Sequence, residues 1–257
     1  MTKKILNLIK KIYYKKIYNY FYFEKKQNFI FKSLGLNRFK AIKKIEKIYK
    51  TYPFLKNNME SEHGTLFSAI SLKKKKLQIL EIGTYDGKNA YLLSKLFPKA
   101  LITTIDLPNN DKNFRLTYNR NKRYYKFCKL RDKIIKKSKN IFFKKINSLN
   151  LIFFKKKFDL IWIDGAHGYP VVVSDIVNSI KLLNTNGVIL CDDIFLNNIA
   201  FQDNLYTSVA TFETLKNLAN ADIINYKLIY KRLDIDNNSN PDLRKFIGFV
   251  KINKYIN

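Results

Sequence analysis

The hydrophobic positions of this chain follow two patterns. Short apolar runs that end in a polar or acidic residue predict strands buried on both faces of a sheet. Between these runs, apolar residues recur every three or four positions, which predicts helices. The predicted strands are residues 77–82, 101–107, 141–146, 158–163 and 188–191, and the predicted main helices are 89–97, 115–139, 171–183 and 207–220.

The order of these elements predicts the fold class. Strands that alternate with helices form a parallel sheet, because each helix makes a right-handed crossover between two strands. Near the C-terminus, residues 226–232 and 246–251 alternate as strands do, and the segment between them is rich in Asn and Asp. We therefore expect an α/β protein with a doubly wound, mostly parallel sheet and a C-terminal antiparallel hairpin.

The first 58 residues form a basic helical N-terminal extension, and the sheet domain is expected to span residues 59–257. Apolar residues between positions 5 and 21 make one stripe, with lysines on much of the remaining surface. This stripe is expected to pack on the domain or on a second copy of the chain in a homo-oligomer. The alternative is an amphipathic helix that makes peripheral contact with an anionic membrane surface.

The net charge of +29 is unevenly distributed. Residues 1–58 contain 16 basic and 2 acidic side chains, and residues 112–157 contain 17 basic and 1 acidic. Such a basic face would concentrate an anionic partner, for example a sugar nucleotide or a phospholipid surface. Only seven of the 49 basic residues are arginine, the residue that phosphate and base-edge recognition favours. The charge is therefore weak support for a nucleic-acid partner.

The expected location is the cytoplasm. Cys128 and Cys191 lie far apart and form no C-x-x-C motif, which indicates a reducing compartment. No apolar run reaches the length of about 18 residues that a membrane-spanning helix needs, and lysines interrupt the N-terminus, so no signal peptide is predicted. The amphipathic alternative for the extension would place the protein on the inner membrane face.

The first predicted strand leads into residues 81–87, E-I-G-T-Y-D-G, a strand-to-helix turn. Open α/β sheets bind nucleotides at such turns. A dinucleotide-binding loop requires G-x-G-x-x-G, because its second glycine lets the pyrophosphate approach the backbone. Tyr85 occupies that position here, and its bulk argues against NAD or FAD.

The E-x-G-x-x-x-G pattern of this turn resembles motif I of the class I S-adenosylmethionine (SAM) methyltransferases. Residues 158–169, F-D-L-I-W-I-D-G-A-H-G-Y, resemble the fourth strand and following loop of an O-methyltransferase-like subgroup with F-D-x-x-x-I-D-G-x-H-x-Y, and residues 186–193, N-G-V-I-L-C-D-D, follow at family spacing. The resemblance covers residues 59–251. It implies SAM as cofactor and a Rossmann-like sheet with strand order 3-2-1-4-5-7-6.

The resemblance also implies where SAM binds. In such a sheet the carboxyl ends of strands 1, 2, 4 and 5 open into one crevice. Asp106 would accept hydrogen bonds from the ribose hydroxyls, and Asn147 and Ser148 would contact the adenine edge. Glu81, Gly83, Thr84, Tyr85 and Gly87, together with Asp164, would surround the methionine part.

On the acceptor side, His167 is the candidate general base, with Asp164 as the second catalytic residue. Asp164, Asp192 and Asp193 resemble the divalent site of metal-dependent O-methyltransferases, and their hard oxygen ligands suit Mg²⁺ or Mn²⁺. The alternative is that Asp164 and Asp192 cap loops or line the acceptor pocket, and that His167 caps a helix or lines this pocket. Asp175, one turn into the following helix, is expected to be a solvated or capping acid.

We therefore expect a SAM-dependent methyltransferase acting on a hydroxyl of a small molecule or glycan precursor; an N-acceptor, which needs less deprotonation, stays open. A nucleic-acid methyltransferase is disfavoured, because residues 164–167, D-G-A-H, stand where base N-methyltransferases carry a tetrapeptide such as D-P-P-Y. A third hypothesis is a non-catalytic SAM-fold module that residues 1–23 recruit to an anionic membrane.

Overall fold

The computed structural model describes residues 5, 19–56, 61–74, 76–117, 123–198, 204, 207–234 and 244–253. Within them, seven strands form one sheet in the order β3-β2-β1-β4-β5-β7-β6. Strands β1 to β5 pair in parallel, whereas β7 runs antiparallel to β5 and β6. The predicted sheet and hairpin are confirmed. The strands are β1 Gln78–Ile82, β2 Leu101–Asp106, β3 Ile141–Lys145, β4 Phe158–Ile163, β5 Leu183–Ile194, β6 Ile224–Tyr230 and β7 Phe246–Ile252.

Eight α-helices are found among the described residues, and they connect or precede the strands. The predicted helix over 115–139 is divided between two shorter helices, and residues 118–122 between them lie outside the described part of the chain. The helices are α1 Tyr20–Ser33, α2 Arg38–Thr51, α3 His63–Ser71, α4 Lys88–Leu96, α5 Lys112–Leu116, α6 Tyr124–Ile135, α7 Val171–Leu182 and α8 Ala210–Asn220, with short 3₁₀ helices at Pro53–Leu55 and Ser148–Phe153.

The hydrophobic core consists of two clusters, one on each face of the sheet. Successive residues of a strand point to opposite faces. Ile79 and Leu160 accordingly belong to one cluster, whereas their neighbours Leu80 and Ile161 belong to the other. Because both faces are covered, the central strands are apolar at nearly every position, and this is why the sequence predicts them well.

The described part of the N-terminal extension packs on the sheet domain. Phe31 of α1 and Ala41 and Ile45 of α2 are buried in the first cluster. The Gln27 side chain pairs with the edge strand β6 at Tyr230: its amide nitrogen donates to the carbonyl oxygen at 3.0 Å, and its oxygen accepts from the backbone N–H at 3.1 Å. Most of the predicted apolar stripe lies outside the described residues, and the domain boundary at residue 58 stays a prediction.

Among the residues that the structure describes, no helix combines the length and the apolar character needed to cross a bilayer.

A buried ion pair fixes the extension to the start of α3. The Arg38 guanidinium donates to both carboxylate oxygens of Glu62, from Nε at 2.8 Å and from Nη2 at 2.7 Å. The Arg38 side chain is only 4% exposed and that of Glu62 10%. A two-pronged pair of this kind fixes orientation as well as distance.

We expect Arg38→Met to reduce the free energy of unfolding by about 3 to 5 kcal/mol, because it leaves the buried Glu62 carboxylate without its partner. Denaturant unfolding measures this quantity. The matched control is Lys40→Met, since Lys40 lies on the same helix and is exposed. Equal stability of the two variants would contradict a structural role for the ion pair.

Candidate functional site

A cavity of about 270 Å³ opens at the carboxyl ends of β1, β2, β3 and β4. Ile105, Leu107, Phe114 and Leu149 give it apolar walls. Helix α5 contributes Phe114 to the cavity wall. No sequence motif indicated that α5 lines a cavity. Six of the nine predicted cofactor residues line the cavity: Gly83, Tyr85, Asp106, Asn147, Ser148 and Asp164.

Gly83 lies where two strand ends meet. Its φ is +102°, and a Cβ at this position would stand 2.1 Å from the backbone carbonyl oxygen of Asp164. Backbone hydrogen bonds hold this approach: the Gly83 N–H donates to Ile105 O at 2.9 Å, and the Asp164 N–H donates to Ile82 O at 2.9 Å. Only glycine therefore fits, and the loops after β1, β2 and β4 form one unit.

Asp106 is held at the rim of the cavity by the backbone. Its Oδ2 accepts the Tyr85 N–H and its Oδ1 accepts the Leu107 N–H, each at 2.9 Å. Tyr85 adopts a φ of +47°, and its ring packs on that of Phe127 with the centroids 5.3 Å apart. A carboxylate oxygen accepts more than one hydrogen bond, so Asp106 is fixed and can still bind hydroxyl groups.

Asp175 of α7 also lines the cavity, and the expectation of a solvated or capping acid is wrong. It is 0% exposed, and neither carboxylate oxygen has a hydrogen-bond partner of normal geometry among the described residues. Burial raises its pKa to about 6, while the nearby Ser148 hydroxyl lowers it. The helical periodicity of the sequence could have predicted this burial, because Asp175 shares the buried face of α7 with Val172 and Ser179.

The predicted acceptor side consists of Asp164 and His167 in the loop after β4, and of Asp192 and Asp193 in β5. His167 Nε2 lies 3.7 Å from Asp164 Oδ1. His167 is 6% exposed, and its Nδ1 has no hydrogen-bond partner within the described part of the chain. Burial lowers the pKa of His167, so the imidazole is neutral near pH 7 and able to accept a proton.

The predicted metal site finds no support. No group of three His, Cys, Asp or Glu side chains among the described residues is arranged to hold an ion. Instead, Lys231 Nζ lies 2.6 Å from Asp192 Oδ2 and 2.6 Å from Asp193 Oδ1, and Lys245 Nζ lies 2.9 Å from Asp193 Oδ2. Asp192 and Asp193, two of the three acids that were expected to bind Mg²⁺ or Mn²⁺, thus bind lysine ammonium groups.

Comparison with known proteins agrees with this geometry. A family model described as a methyltransferase domain matches residues 80–194. The O-methyltransferase TomG of Streptomyces achromogenes, solved in complex with SAM, has a similar fold, with a TM-score of 0.52, 13% identity and coverage of 93% of this chain and 98% of that one. The chain has the class I SAM-dependent methyltransferase fold. The predicted resemblance is therefore confirmed.

An O-methyltransferase of Bacillus cereus in complex with SAH is also similar, with a TM-score of 0.48, 12% identity and coverage of 83% of this chain and 90% of that one. No curated protein matches the sequence.

The remaining motif I residues of this methyltransferase fold support the loop from outside the cavity lining. Thr84 Oγ1 lies 2.6 Å from Thr104 Oγ1 and ties the loop to β2. Gly87 has a φ of +77°, and a Cβ there would stand 3.0 Å from Ile135 Cγ1. Gly87 thus lets α4 pack on α6, and neither residue lines the cavity.

Glu81 also lies outside the cavity lining. Its carboxylate is 0% exposed and accepts hydrogen bonds from the Thr104 hydroxyl and from Asn89 Nδ2, the latter at 2.7 Å. Asn89 belongs to the first turn of α4, so Glu81 joins this helix to the sheet. Burial raises the pKa of Glu81 to about 8, although the two hydrogen bonds act in the opposite direction.

We expect Glu81 to make stability depend on pH. Its folded pKa of about 8 exceeds the ordinary value of 4.5, so the folded protein binds this proton more tightly than the unfolded chain. The resulting stability is fully present below about pH 4.5 and is lost as the pH rises to about 8. Glu81→Gln resembles the protonated form, so its melting temperature should fall less than that of the wild type over this range.

The exposed Glu46→Gln is the control, and it should follow the wild type across the same pH series. Parallel melting curves for wild type and Glu81→Gln would contradict the assignment.

Proposed function

We propose that this chain is an enzyme that transfers the methyl group of SAM to a hydroxyl of a small molecule or glycan precursor. The observation that carries the proposal is the position of Asp164. It lines the cofactor cavity and lies 3.7 Å from the buried, neutral His167. A cofactor site and a candidate base thus meet at one residue.

The residues of the cavity fit SAM. Asp106 is fixed by backbone amides and faces the cavity, as a partner for two ribose hydroxyls requires. Gly83 leaves the space that a side chain would fill. Asp175 and Ser148 also line the cavity, and the amino group of adenine would meet the buried Asp175 carboxylate. When bound, SAM supplies an electrophilic methyl group.

His167 would accept the proton of the acceptor. A hydroxyl with a pKa near that of water, about 15.7, does not ionise against an imidazole, whose ordinary pKa is about 6.5 and is lowered further by burial at His167. Proton transfer from the acceptor hydroxyl to His167 would therefore accompany attack on the electrophilic methyl group that bound SAM would supply. Alignment of the two reactants contributes most of the acceleration, about 7 to 11 kcal/mol.

The surroundings of the cavity support an anionic acceptor. Helix α5 contributes Phe114 to the wall and lies in the strongly basic segment 112–157. The charge of this segment would attract a phosphorylated or otherwise acidic small molecule. It supports a nucleic-acid acceptor less, because the loop after β4 lacks the tetrapeptide of base methyltransferases.

SAM should raise the melting temperature of the protein, whereas NAD should not. Asp106→Ala should weaken SAM binding by at least about 100-fold, because each of two charge-assisted hydrogen bonds contributes roughly 1.5 to 3 kcal/mol. His167→Ala should retain SAM binding and lose turnover. Calorimetric titration measures the first effect, and formation of S-adenosylhomocysteine in the presence of small-molecule extract measures the second.

Stabilisation by NAD without stabilisation by SAM would refute the cofactor assignment. Equal loss of binding and turnover in both variants would refute the division of roles between Asp106 and His167. The melting temperature of each ligand-free variant serves as the control for folding.

Asp175 should determine the preference for adenine. We expect the wild type to bind S-adenosylhomocysteine at least about tenfold more tightly than S-inosylhomocysteine, in which a carbonyl oxygen would face the carboxylate. Asp175→Leu should lose this preference. A purely structural role for Asp175 would weaken binding of both ligands and leave their ratio unchanged, so titration with both ligands separates the two roles.

A further inference from the structure

The acceptor side contains a compact network of carboxylates and ammonium groups. Lys231 follows β6 directly, and its Nζ contacts both Asp192 and Asp193 at 2.6 Å. Lys245 precedes β7 and contacts the second oxygen of Asp193 at 2.9 Å. The Lys231 N–H also donates to the carbonyl oxygen of Lys245 at 3.0 Å. The loop end of the C-terminal hairpin thus places two cations against the end of β5.

A bulge in β5 makes this network possible. Neighbouring residues in a regular strand point to opposite faces, so Asp192 and Asp193 would not reach the same atom. The pairing of β5 with β7 shifts register between Cys191 and Ile194, and Asp193 adopts a φ of +51°. Bulges of this kind redirect side chains near active sites. Here the bulge turns both carboxylates toward Lys231.

The ammonium of Lys231 excludes a metal from the same position. Mg²⁺ needs oxygen ligands at about 2.0 to 2.1 Å in a nearly ideal octahedron. An ion at that distance from Asp192 Oδ2 and Asp193 Oδ1 would overlap Lys231 Nζ, which already lies 2.6 Å from each oxygen. The total charge is also the same, because Lys231 and Lys245 together supply the two positive charges that a divalent cation would supply.

We propose that Lys231, assisted by Lys245, replaces the divalent cation at the acceptor side and positions Asp192 and Asp193 without a metal. The term acceptor side rests on the proposed function, whereas the exclusion of the metal does not. Lys231 is a positioning residue, because its contacts are with carboxylates.

The network leaves two buried polar atoms for the acceptor. Asp192 Oδ1 and His167 Nδ1 have no hydrogen-bond partner among the described residues, although Lys231 binds the other oxygen of Asp192. A hydroxyl group both donates and accepts hydrogen bonds. An acceptor carrying one or more hydroxyl groups could therefore satisfy both atoms, and Lys231 would keep Asp192 in place for this contact.

The test measures Mn²⁺ binding to the full-length chain after chelation and dialysis, with neither SAM nor acceptor present. Free Mn²⁺ is followed by electron paramagnetic resonance, and melting temperatures are recorded with and without the metal. The variants are Lys231→Met, which removes the ammonium, and Lys231→Arg, which retains a positive charge. The double variant K231M/K245M tests whether Lys245 moves into the vacant position.

We expect no Mn²⁺ binding that depends on Asp192 in the wild type or in Lys231→Arg. Lys231→Met, or the double variant if Lys245 moves into the vacant position, should bind Mn²⁺ at least about tenfold more tightly than the wild type, because the Asp192 carboxylate then lacks its ammonium partner, as Asp193 also does in the double variant. Asp192→Asn in the same background should abolish this gain.

Two results would overturn the proposal. The first is Mn²⁺ binding by the wild type that is lost in Asp192→Asn, since the metal would then displace Lys231. The second is folded Lys231→Met and double variants that gain no affinity for Mn²⁺. If the Lys231 variants do not fold, the comparison of wild type with Asp192→Asn decides alone. Because SAM is absent, either outcome is independent of whether SAM binding fails.

Discussion

The close approach of Gly83 to the backbone of Asp164 is the constraint on which the site depends. A Cβ at residue 83 would stand 2.1 Å from the Asp164 carbonyl oxygen, so any other residue would separate β1 from the loop after β4. That loop contains Asp164 and His167, whereas the loop after β1 faces the cofactor cavity. One backbone contact therefore sets the distance between the cavity and His167, and the proposed methyl transfer would be sensitive to errors of about 1 Å in this distance.

The carboxylates at the strand ends are each stabilised in a different way. Backbone amides hold Asp106, and the Thr104 hydroxyl and the Asn89 amide hold Glu81. Lysines hold the pair in β5. Asp175, which lies in helix α7 and not at a strand end, has no such partner of normal geometry among the described residues. A buried carboxylate without compensation is unfavourable, so Asp175 is the residue at which the proposed cofactor would supply the missing hydrogen bond.

The sequence predicted the sheet because its central strands are buried on both faces and helices separate them regularly. It predicted the cofactor cavity through residues that follow strand ends, since parallel strands bring those ends together. The sequence did not predict that lysine ammonium groups would lie against Asp192 and Asp193. Lys231 and Lys245 lie 38 and 52 residues after Asp193. No sequence spacing predicts that residues beside the loop of a hairpin will contact a bulge in another strand. The apolar run at residues 188–191 of β5 also gave no indication of the bulge that follows it.

The N-terminal extension is part of the same arrangement. Gln27 binds the backbone of Tyr230, the last residue of β6, and the Glu62 N–H donates to the carbonyl oxygen of Lys231 at 2.8 Å. Arg38 in turn fixes the Glu62 side chain. The backbone that carries the Lys231 ammonium is thus held by residues of the extension and of the segment that precedes α3. Loosening these contacts would disturb the acceptor side before the cofactor cavity, because the cavity is built on β1, β2 and β4 at the centre of the sheet.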